Sequence, residues 1–241
     1  MAFNTSMEEK NDLMRLAFGD SSDSEDEHEA GNSKAVAQSP PFNRGFSRWE
    51  SVKEIKGLFI LRDLLSPQQQ LSLIESVYKE GWFADSVNNQ AIRFGDLPDW
   101  AITLAESIRL VLFLKNDEGS LPLPVSIAWR SPLFDQMIVN VYEPGEGICA
   151  HVDLPRFEDG IIIVSLESPC VMHFSRVNGD CSSKVPILLT PGSLTVMSRE
   201  ARYQWKHEIN RSPGHQIWED QELHQGRRMS ITMRKFSPLI D

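Results

Sequence analysis

Cysteine is scarce: Cys149, Cys170 and Cys181 are the three in 241 residues, too few and too irregularly spaced for a disulfide framework or a thiolate zinc cluster. They read as free thiols of a reducing compartment. No run of 18 apolar residues occurs, and the opening "MAFNTSMEEKNDLMRLAFGD" has no basic flank leading into an apolar core, so neither a membrane span nor a secretory signal is expected. The location expected from this is the cytoplasm, the nucleus or both. A basic excess is missing as well, since 24 Lys and Arg stand against 34 Asp and Glu for a formal net charge of −10. Proteins that grip duplex nucleic acid without specificity need positive charge to displace counterions, so that class is excluded unless basic groups cluster locally. "GRRMSITMRK" at 226–235 is such a cluster. There is no internal repeat, which removes solenoids and propellers.

What is present divides into a tail and one domain. Residues 1–46 hold nine acidic against four basic side chains and few large apolar groups, so the tail is expected to be disordered. Its "NDLMRLAFG" and "SSDSEDE" fit a segment that docks an unidentified protein and accepts phosphate, but fit better a tail that only confers solubility. Residues 47–241 are expected to fold as one domain. "GLFIL" reads as its first strand. A helix follows, with Ser66 as N-cap, Pro67 at the first position, Leu71, Ile74 and Tyr78 on one face and Gly81 as the stop. A second helix begins near Pro98 and buries Ala101, Leu104, Ala105, Ile108, Val111 and Leu112. From residue 125 the texture changes to about eight short apolar or alternating runs separated by turn residues, which predicts an α+β domain whose strands form a sandwich or barrel, with the helices packed on one outer face.

Chemistry enters at "GICAHVDLPR", residues 147–156. On a strand, His151 and Asp153 face one way while Val152 and Leu154 face the other. A buried carboxylate needs a counter-charge or a metal, and one His with one carboxylate lacks a single His of the two-His-one-carboxylate set that holds non-haem Fe(II). His173, His207, His215 and His224 are the later candidates. His207 is preferred because "RYQWKHEI" reads as a strand able to fold back beside the first, whereas His215 and His224 sit in a polar loop. In "RRMSITMRKF", Arg228, Ser230, Thr232 and Arg234 share a face opposite Met229, Ile231 and Met233. The apolar face must pack, so the polar face looks into solvent or a polar cavity where an arginine fork suits an anionic cosubstrate. The two arginines are six residues apart, roughly 20 Å at about 3.3 Å per residue, so they cannot hold one carboxylate. Asn140 and Tyr142 likewise share a face in "MIVNVYEPGEG".

Taken in order, "NVYEPGEGICAHVD", "FEDGIIIVSLESPCVMHF", "PGSLTVMSREARYQWKHEI" and "GRRMSITMRKF" resemble the AlkB family of Fe(II)- and 2-oxoglutarate-dependent dioxygenases, over about residues 125–236. Within the family the texture is most similar to the homologue that hydroxylates a modified wobble uridine in tRNA. The resemblance implies a double-stranded β-helix (jelly-roll) core with N-terminal supporting helices. It implies that His151, Asp153 and His207 bind iron and that Arg228 pairs with the distal carboxylate of 2-oxoglutarate, helped by Tyr142 and Asn140. Arg234 matches the second arginine of the family's R-x5-R pattern, near the metal-binding carboxylate, and His173 falls where relatives place side chains facing the substrate pocket. The implied cosubstrates are 2-oxoglutarate and O2. The implied substrate is a modified base of RNA, more than of DNA, with a protein side chain as the alternative, and the expected state is a monomer. A metal-binding scaffold with an idle site is the remaining alternative, which Arg228 argues against.

Overall fold

The computed structural model describes residues 48–84, 88–114, 116, 119–179 and 184–237. The tail expected over 1–46 and Cys181 lie outside the described residues.

Chain order begins with β1 (Trp49–Ser51) and β2 (Leu58–Leu61), so "GLFIL" is the second strand rather than the first. Helix α1 (Pro67–Lys79) starts at Ser66, whose hydroxyl accepts from the Gln69 backbone N–H while the Gln69 side chain accepts from the Ser66 N–H. This reciprocal cap fixes the first turn. The face α1 buries differs from the expected one: Leu71 and Tyr78 are exposed, and Val77, Leu73 and Ile74 meet the core. Strand β3 (Gln90–Phe94) comes next, then α2 (Asp99–Val111), whose buried residues include Ala101, Leu104, Ala105, Ile108 and Val111, with Leu112 buried just beyond it.

After a short α3 (Val125–Ala128) come β4 (Gln136–Tyr142), β5 (Ile148–His151), β6 (Ile161–Leu166), β7 (Cys170–Arg176), β8 (Val185–Leu189) and β9 (Leu194–Met197). The chain closes with α4 (Arg199–Tyr203), β10 (Trp205–Ile209), the two-residue strands β11 (Ile217–Trp218) and β12 (Gln221–Glu222), and β13 (Arg228–Arg234). Seven strands form a major sheet in the order β1-β2-β9-β6-β13-β4-β3, and four form a minor sheet in the order β5-β10-β7-β8, all antiparallel. The two sheets face each other in a jelly-roll, the double-stranded β-helix architecture. No helix among the described residues is long and apolar enough to cross a membrane.

Period-two alternation assigns each strand two jobs. Outward residues of the major sheet, such as Met137, Val139, Ile162, Val164, Met229 and Ile231, join Leu104, Ile108 and Val77 of the helices in one core. Inward residues divide by position. Leu58, Ile60, Ile161, Ile163 and Met197 meet Met172, Phe174, Ile187 and Trp205 of the minor sheet in a second, apolar core. Toward β13 and β4 the inward positions turn polar, and the sandwich opens into a cavity.

Candidate active site

The cavity lies between the sheets, open on one side, with about 490 Å³ of free space counting its solvent-filled mouth, and is lined by Arg228, Ser230, Thr232 and Arg234 of β13, by Asn140 and Tyr142 of β4, and by His151, Asp153 and His207. His151 ends β5, Asp153 follows it, and His207 is the residue paired opposite His151 on β10. A bulge between His207 and Ile209 shifts the register there. Gly147 makes the close approach possible, because a Cβ at that position would stand 1.9 Å from the Ile209 carbonyl oxygen.

Each of His151, Asp153 and His207 offers one ligand atom, and these atoms lie within 4.8 Å of one another, a set that could hold a metal ion. The imidazole rings sit 4.3 Å apart between centroids, and His207 Nε2 is 3.8 Å from Asp153 Oδ2. His151 Nδ1 lies 2.8 Å from the Cys149 carbonyl oxygen. Because a carbonyl only accepts, Nδ1 carries the proton in that bond and Nε2 keeps a lone pair for a metal. His207 is 6% exposed, and burial pulls its pKa down to about 4, against the opposing pull of the Asp153 carboxylate. It is therefore neutral, and able to ligate, at ordinary pH.

Asp153 divides its two oxygens. Oδ1 accepts from the Arg234 guanidinium, while Oδ2 is on the His207 side. Arg234 also donates to Gln136 Oε1 at 2.6 Å and lies 4.1 Å over the Phe157 ring; burial lowers its pKa and Asp153 opposes that shift. Arg202, in α4, donates to the carbonyls of Asp153 (3.0 Å), Leu154 (2.7 Å) and Phe157 (3.0 Å), so the loop carrying the carboxylate is tied to the segment that leads into His207.

At the other end of β13 the electrostatics are different. Arg228 is 1% exposed, makes a 3.3 Å bond from Nη2 to Ser165 Oγ and lies 5.5 Å over the Tyr142 ring, yet its Nε and Nη1 have no hydrogen-bond partner among the described residues. No carboxylate is paired with it in that set. Burial pushes the Tyr142 phenol up, opposed by Arg228, so it remains a hydrogen-bond donor. Asn140 accepts a 2.7 Å bond from Gln90, which engages its oxygen and leaves its amide nitrogen to the cavity.

The structure thus brings together His151, Asp153, His207, Arg228, Arg234, Tyr142 and Asn140. It does not bring His173 to them. His173 pairs with Glu208, the residue next to His207, so it sits on the opposite face of the minor sheet from the metal set, while Met172 lines the cavity. The expectation that His173 faces the substrate pocket is corrected by this register. Burial lowers its pKa and the Glu208 carboxylate opposes that. Three participants were not foreseen. Ser165 shares the inward face of Ile161 and Ile163, a period-two signal that was readable in "GIIIVSL". Arg202 and Arg211 carried none, because their partners are backbone carbonyls far along the chain, for Arg211 those of Glu143 and Gly226.

A jelly-roll with a His-Asp-His set that could hold a metal, beside a buried arginine with no carboxylate partner among the described residues, has the make-up of a metal-dependent enzyme scaffold. Comparison with known proteins agrees: residues 129–234 match the family model of the 2OG-Fe(II) oxygenase superfamily. A Xenopus tropicalis protein named tRNA (carboxymethyluridine(34)-5-O)-methyltransferase alkbh8 is 33% identical over 162 residues, covering 64% of this chain and 25% of that protein. The Arabidopsis thaliana alkylated DNA repair protein ALKBH8 homolog is 31% identical over 221 residues, 77% of this chain and 60% of that protein. Among solved structures, that of OsALKBH1 has a TM-score of 0.52 at 15% identity, covering 78% of this chain and 99% of that one, which speaks to the fold. Residues 129–234 are thus similar to the 2OG-Fe(II) oxygenase superfamily, and the chain is AlkB-like. It spans 25% and 60% of the lengths of the two curated relatives just described.

Proposed function

We propose that the protein is an Fe(II)- and 2-oxoglutarate-dependent dioxygenase that hydroxylates or oxidatively demethylates a modified nucleobase, in RNA more than in duplex DNA. The observation that carries the cosubstrate is Arg228: a guanidinium removed from water with two nitrogens unpartnered among the described residues is costly unless a ligand supplies the anion. When bound, iron and 2-oxoglutarate supply oxidative chemistry that places an oxygen atom from O2 on a C–H carbon, with succinate and CO2 as co-products. His151, Asp153 and His207 would hold the metal. Arg228 would anchor the far carboxylate, with Tyr142 and Ser165 hydroxyls beside it. Arg234 holds one oxygen of Asp153, which would leave the other for the metal. Ile163 and Met172 keep that flank of the site dry. Hydroxylation at an N-methyl carbon frees the nitrogen with loss of formaldehyde.

A base as substrate draws support from relatives whose names refer to tRNA uridine 34 and to alkylated DNA. A base reaches a site flanked by a buried His207 only when unstacked, which favours single-stranded targets. The net charge of −10 favours the second reading, a protein side chain as substrate. The test is succinate release by protein supplied with Fe(II), O2 and 2-oxoglutarate, with His151→Ala as control, followed by mass spectrometry of nucleosides and peptides from treated cellular RNA and protein. Metallated protein that releases no succinate refutes the dioxygenase, and altered peptides with unaltered nucleosides transfer the activity to protein.

A further inference from the structure

Beside the cavity lies an aromatic and cationic surface that neither metal nor cosubstrate uses. β3 is an edge strand of the major sheet, and Gln90, Ile92 and Phe94 are paired with Asn140, Ile138 and Gln136 of β4, which places them on the inward face. Gln90 lines the cavity; Phe94, farther along the same face, is 53% exposed. It stacks on Phe236 with centroids 5.7 Å apart and planes 27° from parallel. Phe236 packs on Phe157 at 5.0 Å, and Phe157 lies under the Arg234 guanidinium that pairs with Asp153. Ring contacts therefore run unbroken from the metal set to the surface. Arg156 sits 5.3 Å from the Phe157 centroid and 5.8 Å from that of Phe236, and among the described residues no carboxylate pairs with it. The surface is held in place, because Phe157 bridges Phe236 and the Ser237 N–H donates to the Arg156 carbonyl at 2.8 Å.

An exposed ring asks for a flat apolar partner, and an unpaired arginine beside it asks for an anion. A nucleotide carries both, base on ring and phosphate on guanidinium. Duplex bases cannot use such a surface because their faces are already stacked, whereas a single strand can. We propose that Phe94, Phe236 and Arg156 form a stacking platform for the nucleotide adjoining the one whose base enters the cavity, so that the ligand is a single-stranded polynucleotide and not a free nucleoside. This rests on the nucleobase reading above.

The test is fluorescence anisotropy of the full chain with a labelled single-stranded 9-mer RNA of mixed sequence, comparing wild type with Phe94→Ala, Phe94→Trp and Arg156→Ala. Phe94→Ala weakens binding about tenfold and Phe94→Trp restores it. Arg156→Ala weakens binding and lowers the slope of log K against log salt by about 0.7, one phosphate contact on a single strand. Succinate release without RNA stays at the wild-type value, since these residues touch neither metal nor cosubstrate. Wild-type binding that both alanine variants retain within twofold overturns the platform and leaves the nucleobase reading standing. A wild type that releases succinate but binds no RNA overturns both. Self-association abolished by Phe94→Ala assigns the surface to a second copy of the chain and overturns the proposal.

Discussion

Replacing Arg228 with methionine pits stability against cosubstrate binding. The guanidinium is buried, with Nε and Nη1 unpartnered among the described residues and Nη2 making a long bond to Ser165. Each unsatisfied buried polar group costs about 1–3 kcal/mol, and methionine keeps the straight stem without the charge. Arg228→Met is therefore expected to raise the unfolding free energy of the metal-free protein by about 1–2 kcal/mol, after the lost packing on Tyr142 is subtracted. Binding moves the other way. Removing one partner of a buried, hydrogen-bonded charge pair costs about 2–5 kcal/mol, which is at least thirtyfold in the dissociation constant of 2-oxoglutarate. Urea denaturation of the apoprotein gives the first quantity, and calorimetric titration of Mn(II)-loaded protein with 2-oxoglutarate gives the second. A variant that is destabilised by more than 1 kcal/mol, or that binds 2-oxoglutarate within threefold of wild type, refutes the inference that Arg228 waits for an external anion.

Asp153→Asn and His151→Ala are both expected to abolish metal binding but to differ in the apoprotein. Loss of the Asp153 charge strands the buried Arg234 and costs about 3 kcal/mol, while half-buried His151, bonded to one carbonyl, costs under about 1 kcal/mol, as thermal denaturation will show. Arg202→Met removes three bonds to loop carbonyls, an expected loss of about 3 kcal/mol at about 1 kcal/mol each, together with weaker metal retention in chelator competition; Arg202→Lys does not rescue it, since an ammonium lacks the planar fork. Acid sensitivity follows from His207, whose folded pKa of about 4 lies below its unfolded value of about 6.5. Between those values the unfolded chain takes up a proton that the fold refuses, so the stability His207 contributes is complete above pH 6.5 and is lost as pH falls toward 4. Urea denaturation of the apoprotein at pH 7 and 5 should show about 2 kcal/mol of loss that His207→Gln removes.

Where a residue's role depends on which way a strand faces, period two made it legible. Arg228, Arg234, Asn140 and Tyr142 could be sorted that way because each lies among apolar neighbours that fix the parity of its strand. His173 could not. Met172 and Phe174 flank it with the same apolar character as Val171, so only its pairing with Glu208 shows that it looks outward. Helix α1 failed in a similar manner: Leu71 and Leu73 are chemically equal, and the position of the sheet beneath decides that Leu73 is covered and Leu71 is not. β3 carried little signal because an edge strand needs few apolar residues. The β11–β12 hairpin was missed because Glu219 and Asp220 occupy its left-handed positions, with φ of 50° and 62°, where turn rules expect Asn or Gly.

The two arginines of β13 differ in how their charge is met. They share a strand, a face and burial, yet Arg234 has its carboxylate supplied from within by Asp153 and Arg228 has none among the described residues. Scarcity does not explain the difference, since 34 Asp and Glu leave this chain ten charges to the acidic side. Nor does packing, because the inward positions farther along β6 and β7 are filled by Ile161, Ile163, Met172 and Phe174, and an apolar residue at 228 would lie at the margin of that core. What distinguishes the two is what each must leave free. On the proposed function, Arg234 is internally neutralised because its task is to aim Asp153, which has to stay put when ligands exchange. On the same reading, Arg228 is left uncompensated because a permanent partner there would occupy the place of the cosubstrate, and the stability forgone is recovered only when the anion binds.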